Sequence, residues 1–203
     1  MNCKGIFYIV LCFLFLLACT DEEGYVLEGN ITGLVDPVLY IERFGAKPDT
    51  IYSKRGKFKY EAASKTIQPI VISMEDGNVW MTVWAQNGQV IAISGDAEYP
   101  ELIQISGNEI NDLLTFFRQE HRTTIQEWHD TEDEVEKAGI MQILIQHSND
   151  FVRQHPASIA SLVLIQDYLV ESKDLDAISD ALSLITNPAK TSVLYEQLRT
   201  VYY

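Results

Sequence analysis

The side chains able to do chemistry here are few. Four histidines, His121, His129, His147 and His155, have ordinary pKa values nearest neutrality. His121 and His129 stand near Glu127 and Asp130, but no His-Glu-x-x-His or comparable ligand spacing occurs. They are expected to be helix-surface and capping residues, with no metal. Asp130, Glu132, Asp133, Glu134 and Glu136 are dense enough to attract calcium. They lack the alternating ligands, central glycine and closing glutamate of an EF-hand loop. Acids opening a helix are favoured by its dipole, and that is their expected role. Trp80, Thr82 and Trp84 alternate as in a strand. Two indoles on one sheet face would form a flat platform for a sugar or small ligand. They would serve equally as a surface against which another layer packs, and their size favours packing. There is no Gly-x-Ser-x-Gly elbow, phosphate-binding loop or Gly-x-Gly-x-x-Gly fingerprint. No catalytic residue and no cofactor are expected.

The thiols are Cys3, Cys12 and Cys19, so the body of the chain carries neither a disulfide framework nor a zinc-ribbon spacing. Lys4 precedes an apolar run over residues 6–17. That run is shorter than the ~20 residues a bilayer-spanning helix needs, and it fits the apolar core of a secretory signal. It closes in Leu16-Leu17-Ala18-Cys19, which resembles the lipobox of bacterial lipoproteins. The resemblance implies cleavage before Cys19, two acyl chains on its sulfur and a third on its freed amine. Several acyl chains, at ~0.8 kcal/mol per buried methylene, anchor durably where one would be marginal. Residues 1–18 are thus expected to be a signal peptide and 19–24 an acidic tether, with Cys19 as the lipid attachment site. Thr20-Asp21-Glu22-Glu23 has no Asp directly after the cysteine, the signal that retains many lipoproteins in the inner membrane. The acidic run resembles the surface-export signal of Bacteroidota lipoproteins, although a solvated tether has the same composition. An outer-membrane, lipid-anchored location follows, on either the periplasmic face or the cell surface.

The 203 residues are 47% hydrophobic and 22% charged, values of a folded, water-soluble protein. A net charge of −14 argues against non-specific nucleic-acid binding.

From residue 25 to about 105 the chain reads as short strands: 25–31, 38–42, 50–53, 57–61, 70–74, 79–85, 89–93 and 102–105. Asp36-Pro37, Lys54-Arg55-Gly56, Asp76-Gly77 and Asn87-Gly88 punctuate them. Gly56 suits the left-handed position of a three-residue hairpin, and the Asp-Gly and Asn-Gly pairs are hairpin signals. Pro69 belongs at a strand start or an edge. Short connections predict an antiparallel sandwich or open barrel. Beyond residue 106 the apolar period becomes helical. Ile110, Leu113, Leu114 and Phe117 mark one helix, with Ser106 and Asn108 competing to cap it. Thr131-Glu132-Asp133-Glu134 reads as a capping box opening a helix through Val152. Another starts at His155-Pro156 and runs through Leu169, a fourth spans about 175–184, and Asn187-Pro188 opens the last. The predicted fold is α+β, with an antiparallel β domain over 25–106 and a helical bundle over 107–203.

The stretch from Asp49 to Tyr60, with Leu27-Glu28-Gly29 before it and Asn87-Gly88-Gln89-Val90-Ile91-Ala92-Ile93 after it, is the most specific. It resembles a β-rich domain of unknown function that precedes thioredoxin-like domains in many Bacteroidota lipoproteins. Ser106-Gly107-Asn108-Glu109-Ile110-Asn111 and Phe151-Val152-Arg153-Gln154-His155-Pro156-Ala157-Ser158 resemble the helical segment that follows it. Longer relatives continue into a thioredoxin-like domain with a Cys-x-x-Cys pair, whereas this chain ends at Val201-Tyr202-Tyr203. Thiol–disulfide exchange requires an attacking thiolate, and none exists after Cys19. The resemblance therefore implies a non-enzymatic interaction or substrate-positioning module with a thioredoxin-like envelope partner. The alternatives are a glycan- or small-ligand-binding lipoprotein using Trp80 and Trp84, or the N-terminal part of a thiol–disulfide oxidoreductase. Asp49-Thr50-Ile51 also resembles the short motif at which Bacteroidota O-glycosylate exported proteins, making Thr50 an acceptor. Three residues are a match that chance also produces. The Asn30-Ile31-Thr32 sequon carries little meaning in a bacterial exported protein.

Overall fold

The computed structural model describes residues 24–35, 38–74 and 79–202. The fold is α+β. Eight strands come first: β1 (Tyr25–Thr32), β2 (Val38–Arg43), β3 (Asp49–Tyr52), β4 (Lys57–Ala62), β5 (Gln68–Met74), β6 (Val79–Ala85), β7 (Val90–Asp96) and β8 (Gln104–Ser106). They form two four-stranded sheets, ordered β4-β1-β7-β8 and β3-β2-β5-β6. The alternation expected of half-buried strands holds. On β1, Tyr25, Leu27 and Ile31 point inward, and on β4 Phe58 and Tyr60 do so while Lys57 and Lys59 face water. Residues from both sheets, among them Leu27, Leu39, Ile41, Ile72, Val83 and Ile91, share one core.

Three expectations need correction. The first sheet is mixed: β1 and β7 run parallel, Leu27 facing Ile91. The chain traverses the whole second sheet between them, long enough to return in the same direction. Lys54–Lys57 and Asn87-Gly88 do turn, but neither joins neighbouring strands of one sheet, since β3 and β6 lie in the second sheet and β4 and β7 in the first. Lys54–Lys57 is a two-residue turn with Arg55 and Gly56 both at positive φ, not a three-residue hairpin. The sheets therefore remain an open sandwich rather than a barrel. Pro69 sits at the second position of β5, beyond the last residue paired with β2, so its missing N–H disturbs no ladder on that side.

Six helices follow: α1 (Glu109–Glu120), α2 (Arg122–Asp130), α3 (Glu134–Gln154), α4, α5 (Leu175–Leu184) and α6 (Val193–Tyr202). α4 runs through Ile159–Leu164, widens into a π-helical turn at Ile165–Leu169 and closes with Val170–Ser172. Asn108 wins the first cap, accepting the N–H of Asn111 at 3.0 Å. α2 is an additional helix, divided from α1 at His121, whose backbone (φ −104°, ψ 22°) leaves the helical region. α3 is capped by Asp133, not Thr131. α4 starts after Ser158 rather than at Pro156, and α6 starts after Ser192, with Ala189–Thr191 forming a separate 3-10 turn. The caps of α1, α3, α4, α5 and α6 are Asn, Asp or Ser residues whose side-chain oxygen accepts an early helical N–H, whereas α2, opening at His121, has no side-chain cap. Among the described residues no helix is long and apolar enough to cross a membrane.

Candidate functional site

Trp80 and Trp84 are brought into the fold in different ways. Between β5 and β6, Ile72 pairs with Met81 but Ser73 pairs with Val79, so Trp80 is the extra residue of a β-bulge. The bulge breaks the expected alternation with Thr82 and Trp84. Trp80 joins the sandwich core at 9% exposure, while Trp84, at 6%, packs on the other side against Leu114, Phe117, Phe151, Ala160, Val163 and Leu164. The two indoles thus stand in separate cores and present no open face. Among the described residues, neither indole N–H has an acceptor.

The seam beside Trp84 holds the buried polar side chain of Asn111. β6 and β8 are the outer strands of the two sheets on one side, and α1 lies against both. Edge strands leave main-chain groups without strand partners. α1 supplies substitutes from side chains one turn apart. Asn111, only 1% exposed, accepts the Trp84 N–H at 3.1 Å and donates to the Trp84 carbonyl at 2.8 Å. Thr115 accepts the Ile105 N–H at 2.9 Å and donates to the Ile105 carbonyl at 2.7 Å. One turn further, Gln119 donates to the Leu102 carbonyl at 3.3 Å. Asn108 caps α1 with its oxygen, and its amide donates to the Trp84 carbonyl at 2.7 Å and to Gln89 at 3.0 Å.

The Ser106–Asn111 motif is therefore a device for locking a helix onto two sheets. Gly107 belongs to it: at φ +119° a Cβ would stand 2.2 Å from the Val90 carbonyl oxygen. Gly107→Ala is expected to lower stability by about 1–3 kcal/mol, measured by urea unfolding.

On the opposite flank, β3 and β4 are the outer strands, and side chains rather than a ladder hold them together. Asp49 accepts from Arg43 at 2.9 Å and from the Tyr60 hydroxyl at 2.5 Å. Arg43 also lies over the Tyr60 ring, 5.8 Å from its centre. The Tyr60 hydroxyl bond, with the Arg43 guanidinium, holds the Asp49 carboxyl below its ordinary value of 3.8 against partial desolvation. Burial, and next the Asp49 bond, push Tyr60 up, and burial raises Tyr25, the tyrosine beside it on β1. A carboxyl with a folded-state pKa below its unfolded one adds stability above about pH 4, lost as pH falls through the folded value. Tyr60→Phe is expected to flatten this acid limb, seen as a smaller drop in urea midpoint between pH 5 and pH 2. Thr50, next to Asp49, is exposed on the outer strand β3.

The histidines separate into three settings. His121 and His147 stack with ring centres 3.9 Å apart and planes 16° from parallel. His129 meets Glu101 at 3.4 Å and Tyr99 at 5.2 Å between centres. His155 packs on Phe151 at 4.5 Å. Arg118 faces Asp167 of the π-helical turn at 4.0 Å. Its neighbour Tyr168 is pushed up to about 12, chiefly by burial, with Arg118 opposing. Among the described residues, no group of three or more His, Cys, Asp or Glu is placed to hold a metal ion. The acidic run at 130–136 does capping work: Asp133 accepts the N–H of Val135 and of Glu136, and Thr131 donates to Glu136.

A shallow cleft of about 410 Å³ opens at the end of the sandwich where Leu34, Met74 and Ala97 meet Asp96 and Glu98. The Asp96 carboxylate is already engaged there, accepting the Glu98 N–H at 3.0 Å. Cys19 and the signal segment lie outside the described residues. The chain matches no family model, no curated protein and no solved structure.

Proposed function

We propose that this chain is an outer-membrane lipoprotein anchored through Cys19, whose folded body is a non-catalytic interaction or substrate-positioning module. The observation that carries the reading is the position of the sulfur: all three cysteines fall within the first nineteen residues. Once the signal is removed and Cys19 acylated, no thiol remains for electron or acyl transfer. The resemblance of residues 49–60 and 106–111 to the domain preceding thioredoxin-like domains supports a thioredoxin-like envelope protein as the partner. The buried positions of Trp80 and Trp84 favour their packing role over a glycan platform.

The test is fractionation of cells expressing the full chain. The wild type is expected in the membrane fraction and Cys19→Ser in the soluble fraction, with neither reducing a disulfide substrate. Wild-type protein found soluble, or turnover of the disulfide, contradicts the reading.

A further inference from the structure

We propose that the stacked His121–His147 pair is an acid-operated latch fastening the corner between α1 and α2 to the flank of α3. His121 is the residue at which α1 stops and α2 begins, so its ring position sets that corner. The main chain does little else to hold it: His121 N–H reaches back to the Phe117 carbonyl at 3.1 Å, and its own carbonyl accepts from Ile125 at 3.0 Å. The side chain is 16% exposed, in a T-shaped contact with Phe117 at 4.7 Å and stacked on His147.

Two neutral imidazoles stack without penalty at this separation, whereas two imidazolium rings repel at short range in a partly dry place. The charges around them do not offset that repulsion. α1 offers Glu120, 4.0 Å from His121 Nε2 and more than half exposed, so water screens it. Arg118, also on α1, is turned toward Asp167 on α4. α2 begins with exposed Arg122, a cation. His155, just past the end of α3, packs on Phe151, which meets Phe117 rather than the pair. Burial first and His147 second hold His121 below its ordinary 6.5, with Glu120 opposing.

The sign follows from linkage. A base whose folded pKa is depressed takes up its proton more readily when released. Stability is therefore intact above about pH 6.5 and is lost as pH falls toward the folded value. Each unit of depression is worth about a factor of ten in the released population. Release at His121 loosens the last turn of α1 and the first turn of α2, while Ile125, buried against Leu102, Ile140 and Leu144, keeps the rest of α2 in place. The Asn111 and Thr115 end of α1 keeps its own bonds to the sheets, so the opening is local.

Amide hydrogen exchange of the full chain at pH 7.5 and 5.5, corrected for intrinsic rates, tests this. The Ile125 amide, bonded to the His121 carbonyl, and the last turn of α1 are expected to lose about tenfold of their protection in acid, with β1 and β7 unchanged. His147→Phe, which keeps an aromatic face without a charge, is expected to abolish the loss. An equal loss in His147→Phe, or one spread evenly over the sheets, overturns the latch. Proton NMR titration of the wild type reads the same event without a substitution. A His121 midpoint below 6.5 accompanied by shifts in α2 supports the latch, and a midpoint at or above 6.5 overturns it.

Discussion

Asn111→Ala is expected to cost about 2–4 kcal/mol, measured as a lower urea midpoint at unchanged slope. The substitution strips the Trp84 N–H of its acceptor at 3.1 Å and the Trp84 carbonyl of one of its two donors, in a place closed to water. A buried group left unsatisfied costs its full desolvation, more than a typical hydrogen bond contributes. Asn111→Asp is a sharper version. It retains an acceptor for the N–H, sets a carboxylate against the Trp84 carbonyl and buries a charge, so it should fall further than alanine at neutral pH. Thr115→Val, nearly isosteric, removes both bonds to Ile105 at a partly exposed position and should cost less, about 1–2 kcal/mol. Thr115→Ser should restore most of that. Asn108 and Asn111 share the Trp84 carbonyl, so their double variant should be non-additive.

Trp84→Ala is expected to cost about 3–5 kcal/mol, through lost burial and the cavity left between β6 and the helices. The ring stands among Leu114, Phe117, Phe151 and Leu164, so the loss should reach α1 and α4 before the sandwich core. Trp84→Phe should recover much of it, because the indole N–H it removes has no acceptor among the described residues. Near-ultraviolet circular dichroism and urea melts of the two variants read these outcomes. Loss of a sugar-dependent fluorescence change in Trp84→Phe, with stability intact, would return the indole to a binding role.

The alternation of Phe58 and Tyr60 against Lys57 and Lys59, and the helical period from Ile110 to Phe117, make the two halves legible in the sequence itself. Both signals report which face is apolar, and in this chain the faces agree with the cores. Sheet membership was not legible. Asn87-Gly88 turns the chain as such pairs do, but whether the next strand pairs with the last depends on distant partners, and β7 chose β1. The Trp80 bulge was hidden for the same reason: an extra residue shows only against the opposing strand. Helix starts slipped by a few residues because Thr131, Asp133, Asn108 and Ser158 are all competent caps and tertiary contact selects among them. The 106–111 motif carried a resemblance without a reason. Its Asn and Gly turn out to hold an edge strand and avoid a carbonyl, neither of which has a periodic signature. The His121–His147 stack joins the α1–α2 corner to α3, and only their packing reveals it.

Intact-mass analysis of the protein extracted from envelopes tests the contact-only reading most directly. The expected species begins at Cys19 and carries the added mass of its acyl chains, with no thiol available to alkylation. A chain that retains Met1, or one whose Cys19 is free and alkylates, would contradict it.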